Sequence, residues 1–262
     1  MPIIFSAIVP HPPVLVPTIG KENIKRLKAT SIAYEKLEHD LYTAQIDTLL
    51  IISPHGQSQP NSFVMNLCPE YNINFEEFGD FSIKLNISGD IGLGYKIRES
   101  LETKAPLQLI SQANLDYGSS IPIYFLTSRL PRLKIIPLYY SGLDLNSHYN
   151  FGKLLKRELL ITKNRVAIIA SGDLSHRLTK NAPAGYSAKG KKFDNKLIEY
   201  LCQDKVKEIL SINHELIAEA GECGLKSIVI LLGILEGIKC QTQLLSYEAP
   251  FGVGYLVMNF KL

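Results

Sequence analysis

Three histidines in this chain each follow an apolar run, and two of them stand in proline-containing turns. His11 lies in Pro10-His11-Pro12-Pro13, after Ile3-Ile4-Phe5 and Ile8-Val9. His55 lies in Ser53-Pro54-His55-Gly56, after Leu49-Leu50-Ile51-Ile52. His176 closes the segment Val166-Ala167-Ile168-Ile169-Ala170-Ser171-Gly172-Asp173-Leu174-Ser175-His176. Proline fixes its own φ and pushes the residue before it toward extended backbone, so such turns hold a side chain still. If the runs are parallel strands, all three imidazoles emerge at one edge of one sheet, where open α/β folds place their ligands. Two neutral imidazoles and one carboxylate are the smallest protein set that holds a redox-active iron with open positions. The pattern predicts a metal-dependent enzyme of the Fe(II) dioxygenase type.

Three carboxylates compete for the third place. Glu222 stands between glycines in Gly221-Glu222-Cys223-Gly224, before an apolar helical segment. An acid is favoured at a helix start for electrostatic reasons alone, and the same place also aims it at the sheet edge. Glu248, in Ser246-Tyr247-Glu248-Ala249-Pro250, is the second candidate, and Asp116, in Leu115-Asp116-Tyr117-Gly118, is the third. Cys223 is a soft alternative ligand, although a free cysteine is by default a small buried hydrophobe. Asp173 or Ser175 caps the segment after the strand or orients the His176 ring. His39, His148 and His214 lie in polar helical contexts that need no functional explanation.

These residues need a scaffold. The 262 residues are 46% hydrophobic, which suits one domain spanning 1–262. The net charge of +3 comes without a basic stripe interleaved with aromatics, which argues against nucleic acid as a partner. The four cysteines show neither CxxC pairing nor a disulfide framework, so reduced thiols in a cytoplasmic protein are expected. No basic leader opens the chain, and the longest apolar stretch, 227–235, is too short to span a bilayer, so it reads as a buried helix. Strands are expected near 2–9, 47–53, 81–87, 107–111, 133–140, 165–171, 241–247 and 253–260. Helices are expected over 21–44, 94–104, 117–130, 146–159, 191–202 and 224–236. The alternation predicts an α/β fold, a mixed but mostly parallel central sheet with helices on both faces. Residues 57–80 read as a loop or small hairpin near His55, and 177–190 as a second long loop. Loops of that length in a compact domain are usually functional or disordered.

The segments around residues 10–13, 53–56, 171–176 and 221–224, together with Ser246-Tyr247-Glu248-Ala249-Pro250-Phe251-Gly252-Val253-Gly254-Tyr255, resemble the catalytic (LigB-like) subunits of the class III extradiol ring-cleavage dioxygenases. The likeness is greatest to the branch related to Memo proteins, and it covers almost the whole chain. It implies Fe(II) on His11, His55 and Glu222, with His176 as acid/base and with zinc or copper as alternative metals. It implies a catechol-like aromatic substrate and dioxygen, and relatives that pair imply a homodimer. Many ring-cleaving members carry histidine where this chain has Tyr117, which bears on substrate handling. In Memo-type relatives a cysteine takes the glutamate's place, and Cys223 adjoins Glu222.

An imidazole suits proton transfer in both directions, since its unperturbed pKa is roughly 6.5. The two long loops are candidate lids, and Tyr186 and Tyr247 are candidate hydrogen-bond donors to a bound ligand. Two other classes stay open at this point. One is a Memo-like metal-binding protein without ring cleavage, with a redox or partner-binding role. The other is a zinc hydrolase, because His/His/Glu also suits catalytic zinc.

Overall fold

The apolar runs that end at Val9, Ser53, Tyr139 and Ser171 lie side by side as parallel strands in a computed structural model that describes residues 1–262. In chain order the elements are β1 (Ile3–Val9), α1 (Pro17–Gly20), α2 (Lys28–Ala44), β2 (Thr48–Ser53), β3 (Phe63–Asn66), β4 (Glu70–Phe75), β5 (Asp80–Gly89), α3 (Ile91–Leu101), β6 (Leu107–Ile110) and α4 (Tyr117–Leu126). They continue with β7 (Lys134–Tyr139), α5 (Leu145–Ile161), β8 (Val166–Ser171), α6 (Ala188–Cys202), α7 (Val206–Leu210), α8 (His214–Ala220), α9 (Leu225–Leu235), β9 (Gln241–Glu248) and β10 (Tyr255–Lys261).

Ten strands make one mixed sheet, whose main path runs β4-β5-β7-β2-β8-β1-β10-β9. The parallel centre is β7-β2-β8-β1, and β10 and β9 extend it antiparallel. β7 shares its outer edge. Its start pairs with the end of β5, and Leu138 and Tyr139 pair antiparallel with β3, which carries β6.

The central strands are buried along their length, as expected of a sheet covered on both faces. Successive side chains alternate between two cores. Leu50, Ile52, Ile168 and Ala170 pack with α5 and α9 on one side. Leu49, Ile51, Ala167 and Ile169 pack with α2 and α4 on the other. The fold is thus the expected α/β layering with helices on both faces. α9 is apolar all round and buried, which accounts for the 227–235 stretch, and no helix is long and apolar enough to cross a membrane.

The departures have local causes. Residues 57–80 contain β3 and the first arm of the β4–β5 hairpin. β3 has four residues, all buried, too few for a period to emerge from its polar surroundings. The helix expected over 94–104 begins three residues earlier, because Asp90 caps it by accepting from Leu93 N–H at 3.0 Å. The short α7 is not among the expected helices, whereas α8 follows the helical context expected at His214, with Asn213 capping it through Glu215 and Leu216 N–H.

Candidate metal centre

Each of the two prolyl turns leaves the carboxyl end of a central strand. β8 lies between β1 and β2, so the turns after Val9 and Ser53 flank the segment after Ser171. The His11 turn is tied from two sides. Its backbone N–H donates to Asp173 Oδ1 at 2.9 Å, and the Tyr34 hydroxyl on α2 donates to the Pro10 carbonyl. The His55 backbone N–H donates to Ser53 Oγ at 3.3 Å, and the Ser53 hydroxyl in turn donates to Asp116. Asp116 also caps α4, accepting from Ser119 N–H at 3.0 Å and from its hydroxyl at 2.7 Å. One carboxylate therefore fixes the start of α4 to the end of β2. Gly118 permits this approach, since a Cβ there would come within 2.6 Å of Ser53 Oγ.

The two imidazoles meet edge to face, with Nε2 atoms 3.0 Å apart. Cys223 Sγ lies 3.6 Å from His11 Nε2, and the three donor atoms all fall within 4.8 Å of one another. Donors bound to one ion at about 2.0–2.3 Å stand roughly 3.3–3.6 Å apart at tetrahedral angles; the His11–Cys223 spacing falls there, the two Nε2 atoms are slightly closer, and the whole set lies within 4.8 Å. Burial, with the His176 charge second, lowers His11 to about 3. Burial likewise lowers His55 to about 4, again with nearby histidine charges. Both rings are therefore neutral at physiological pH and keep a lone pair for a cation. Burial raises the Cys223 thiol well above its ordinary value, and a bound cation would reverse that, since a coordinating thiol is deprotonated.

The group that this arrangement brings to the two imidazoles is Cys223, and the Glu222 carboxylate lies elsewhere. Gly221 adopts φ +60° at the end of α8, and the chain then turns back against β8. Asp173 N–H donates to Cys223 Sγ at 3.3 Å, while the Asp173 carbonyl accepts from Cys223 N–H at 3.2 Å and Gly224 N–H at 3.0 Å. This interlock aims the thiol at the histidines. It requires two backbones to touch, because a Cβ on Gly172 would fall 2.1 Å from the Gly224 Cα. The Glu222 carboxylate instead accepts from Leu225 N–H at 2.5 Å, capping α9, and lines a cavity of about 300 Å³ with Lys226, His214 and Asp144. Burial raises its pKa to about 7.

The remaining candidates divide. Asp173 is buried, and its Oδ2 lies 4.0 Å from His11 Nε2; burial raises its pKa. Tyr117 stacks on the His55 ring, centroids 4.3 Å apart, with its hydroxyl 2.9 Å from His55 Nε2. His176 lies close enough for its charge to weigh on His11, His55 and Asp173. Its backbone N–H donates to the Ala220 carbonyl, and its buried Nδ1 has no partner. Tyr247 and Glu248 serve elsewhere. The Tyr247 hydroxyl donates to Asp194 at 2.7 Å, and Glu248 accepts from Thr30 N–H on α2 at 2.7 Å. Asp194 also accepts from Ser175 N–H, so Tyr247 reaches the His176 segment only through it. Tyr186 is 56% exposed. The sequence reading missed Ser171, whose hydroxyl lies 2.8 Å from His11 Nδ1, and Phe78 at the hairpin tip, whose ring packs edge-on against Tyr117. A signal for Ser171 was present: it is a polar residue closing an otherwise apolar strand, as Ser53 is.

Fold and site together describe an α/β protein with a candidate His/His/Cys metal site beside the ends of its central strands. The family model "Catalytic LigB subunit of aromatic ring-opening dioxygenase" matches residues 6–258, and the chain belongs to that family. It is 32% identical to Protein CA_C1420 of Clostridium acetobutylicum over 264 residues, an overlap covering 97% of this chain and 56% of that protein. The chain thus spans about half the length of this curated relative. Among solved structures, the uncharacterized protein JW3007 from Escherichia coli K12 superposes with a TM-score of 0.68 at 13% identity, covering 98% of this chain and 99% of that one. That likeness speaks to the fold.

Proposed function

We propose that this protein is a metal-dependent oxidative member of the ring-opening dioxygenase family, with its ion held by His11, His55 and Cys223. The observation that carries this reading is the meeting of two imidazole nitrogens and a thiol, all within 4.8 Å of one another, at one sheet edge. When bound, the ion would supply a Lewis-acidic or redox centre able to polarise a substrate oxygen or engage dioxygen. The chain's own groups do the rest. His176, whose charge weighs on His11 and His55, would take and return a substrate proton. Asp173 would hold the His11 turn in place. The hairpin tip at Phe78, over Tyr117, would limit water.

Two finer readings divide on the third ligand. The family match and the presence of His176 favour Fe(II)-dependent opening of a catechol-like ring with O2. Cys223 in place of a carboxylate favours a Memo-like centre that binds a softer metal such as copper or zinc and has no ring-opening activity. Metal content of protein purified without added metal is the first measurement. Anaerobic loading with Fe(II), then exposure to catechols in air, follows. Oxygen uptake with a coloured ring-fission product supports the first reading. Stable copper or zinc without oxygen uptake supports the second. Cys223→Ala is expected to lose the ion while Glu222→Gln retains it, and the reverse result returns Glu222 to the site.

A further inference from the structure

We propose that Pro122 and Ser171 together lock His11 in the tautomer whose Nε2 is bare, a positioning role that rests on the metal reading above. Ser171 Oγ lies 2.8 Å from His11 Nδ1 and 2.5 Å from the Gly118 carbonyl oxygen. A carbonyl only accepts, so the single hydroxyl proton goes to Gly118. The hydroxyl oxygen must then accept from His11, which places the imidazole proton on Nδ1. A neutral imidazole carries one such proton, so Nε2 keeps its lone pair, directed at His55 Nε2 and Cys223 Sγ. With the other tautomer, an N–H would point into the space between the donors.

The free carbonyl is itself a consequence of sequence. Inside α4 the Gly118 carbonyl would ordinarily accept from the N–H of residue 122, and residue 122 is proline, within the helix. Proline offers no N–H, and its ring crowds the carbonyl four residues back. A buried carbonyl left without a partner is costly, and the Ser171 hydroxyl satisfies it. Gly118, Ser171 and His11 are all buried, so water does not compete for these positions. The chain of causes runs from a helix-interior proline on α4 to a serine ending β8 and then to the ring at the end of β1. His55 has no comparable arrangement, since its Nε2 faces the Tyr117 hydroxyl.

Histidine nitrogen shifts of the metal-free protein test this directly, with the His11 signals assigned by their loss in His11→Gln. The expected result is a protonated Nδ1 and a bare Nε2 on His11. In Ser171→Ala the signals should move toward the other tautomer, and zinc affinity, measured by chelator competition, should fall roughly ten- to a hundred-fold. Ser171→Thr, which keeps the hydroxyl, should restore both. Pro122→Ala returns an N–H to Gly118, leaves the donors untouched, and should shift the tautomer in the same direction by less. A wild-type His11 protonated on Nε2 overturns the lock. So do Ser171→Ala and Pro122→Ala proteins with unchanged nitrogen shifts. Because the shifts are read without metal, a protein that shows the expected tautomer but takes up no zinc overturns the metal reading and leaves the lock standing.

Discussion

At the scale of single residues, the site is a contest for lone pairs. The Tyr117 hydroxyl lies 2.9 Å from the same His55 nitrogen that a cation needs and competes for it. Tyr117→Phe keeps the stacked ring and removes the competitor, which is one hydrogen bond of about 1 kcal/mol. Zinc titration should show affinity rising by roughly three- to ten-fold, whereas weaker binding would mean that the phenol oxygen itself holds the ion. His176→Ala should leave metal stoichiometry unchanged and slow any turnover by about a hundred-fold or more; loss of metal would instead make His176 a ligand. His11 and His55 were legible in the sequence because proline turns after apolar runs betray both position and rigidity. The choice between Glu222 and Cys223 was not legible. Adjacent residues point in different directions, and which one faces the donors depends on how the turn from Gly221 to Gly224 docks against Asp173. That docking is a tertiary contact between segments about fifty residues apart.

At the scale of elements, the α8–α9 turn and the end of β8 work as one unit because of the contact between Gly172 and Gly224. Gly172→Ala inserts a methyl where the Gly224 Cα already lies. Overpacking of this kind costs about 1–3 kcal/mol, and here it should also push Cys223 away from His11. Urea denaturation and metal titration on one sample should both show the loss; unchanged metal affinity would separate the thiol from the interlock. The β7–α5 connection makes a second prediction. His148 is fully buried, with Nδ1 2.7 Å from the Asp144 carbonyl, to which it donates, and Nε2 accepting from Ser141 N–H. Burial lowers its pKa from 6.5 to about 4. The unfolded chain therefore binds a proton first as pH falls, so this contribution to stability is intact above pH 6.5 and is lost between 6.5 and 4. His148→Gln should flatten the stability profile in that window when denaturation is followed at several pH values. Long elements with a clear period, such as α2, α5 and the central strands, were readable from pattern alone. β3 and α7 were not, because elements of four or five residues carry too few side chains to show a period.

At the scale of the whole molecule, any ion that prefers the folded state stabilises it by mass action. At a hundred-fold excess over Kd the gain is about 2.7 kcal/mol, which for a domain of this size is a rise in Tm of roughly 5–10 °C. Zinc should raise the Tm of the wild type by that order and leave Cys223→Ala unmoved; an equal shift in both would place the ion elsewhere. Strand order has a further consequence. β8 is the wedge between β1 and β2, and the thiol arrives after α8. A chain still emerging from the ribosome, even with residues 1–120 already folded, holds two imidazoles with neither their spacer nor their sulfur. On the proposed reading, capture by all three donors would wait until the turn carrying Cys223 has been made, so the ion would be a late passenger rather than a template for folding.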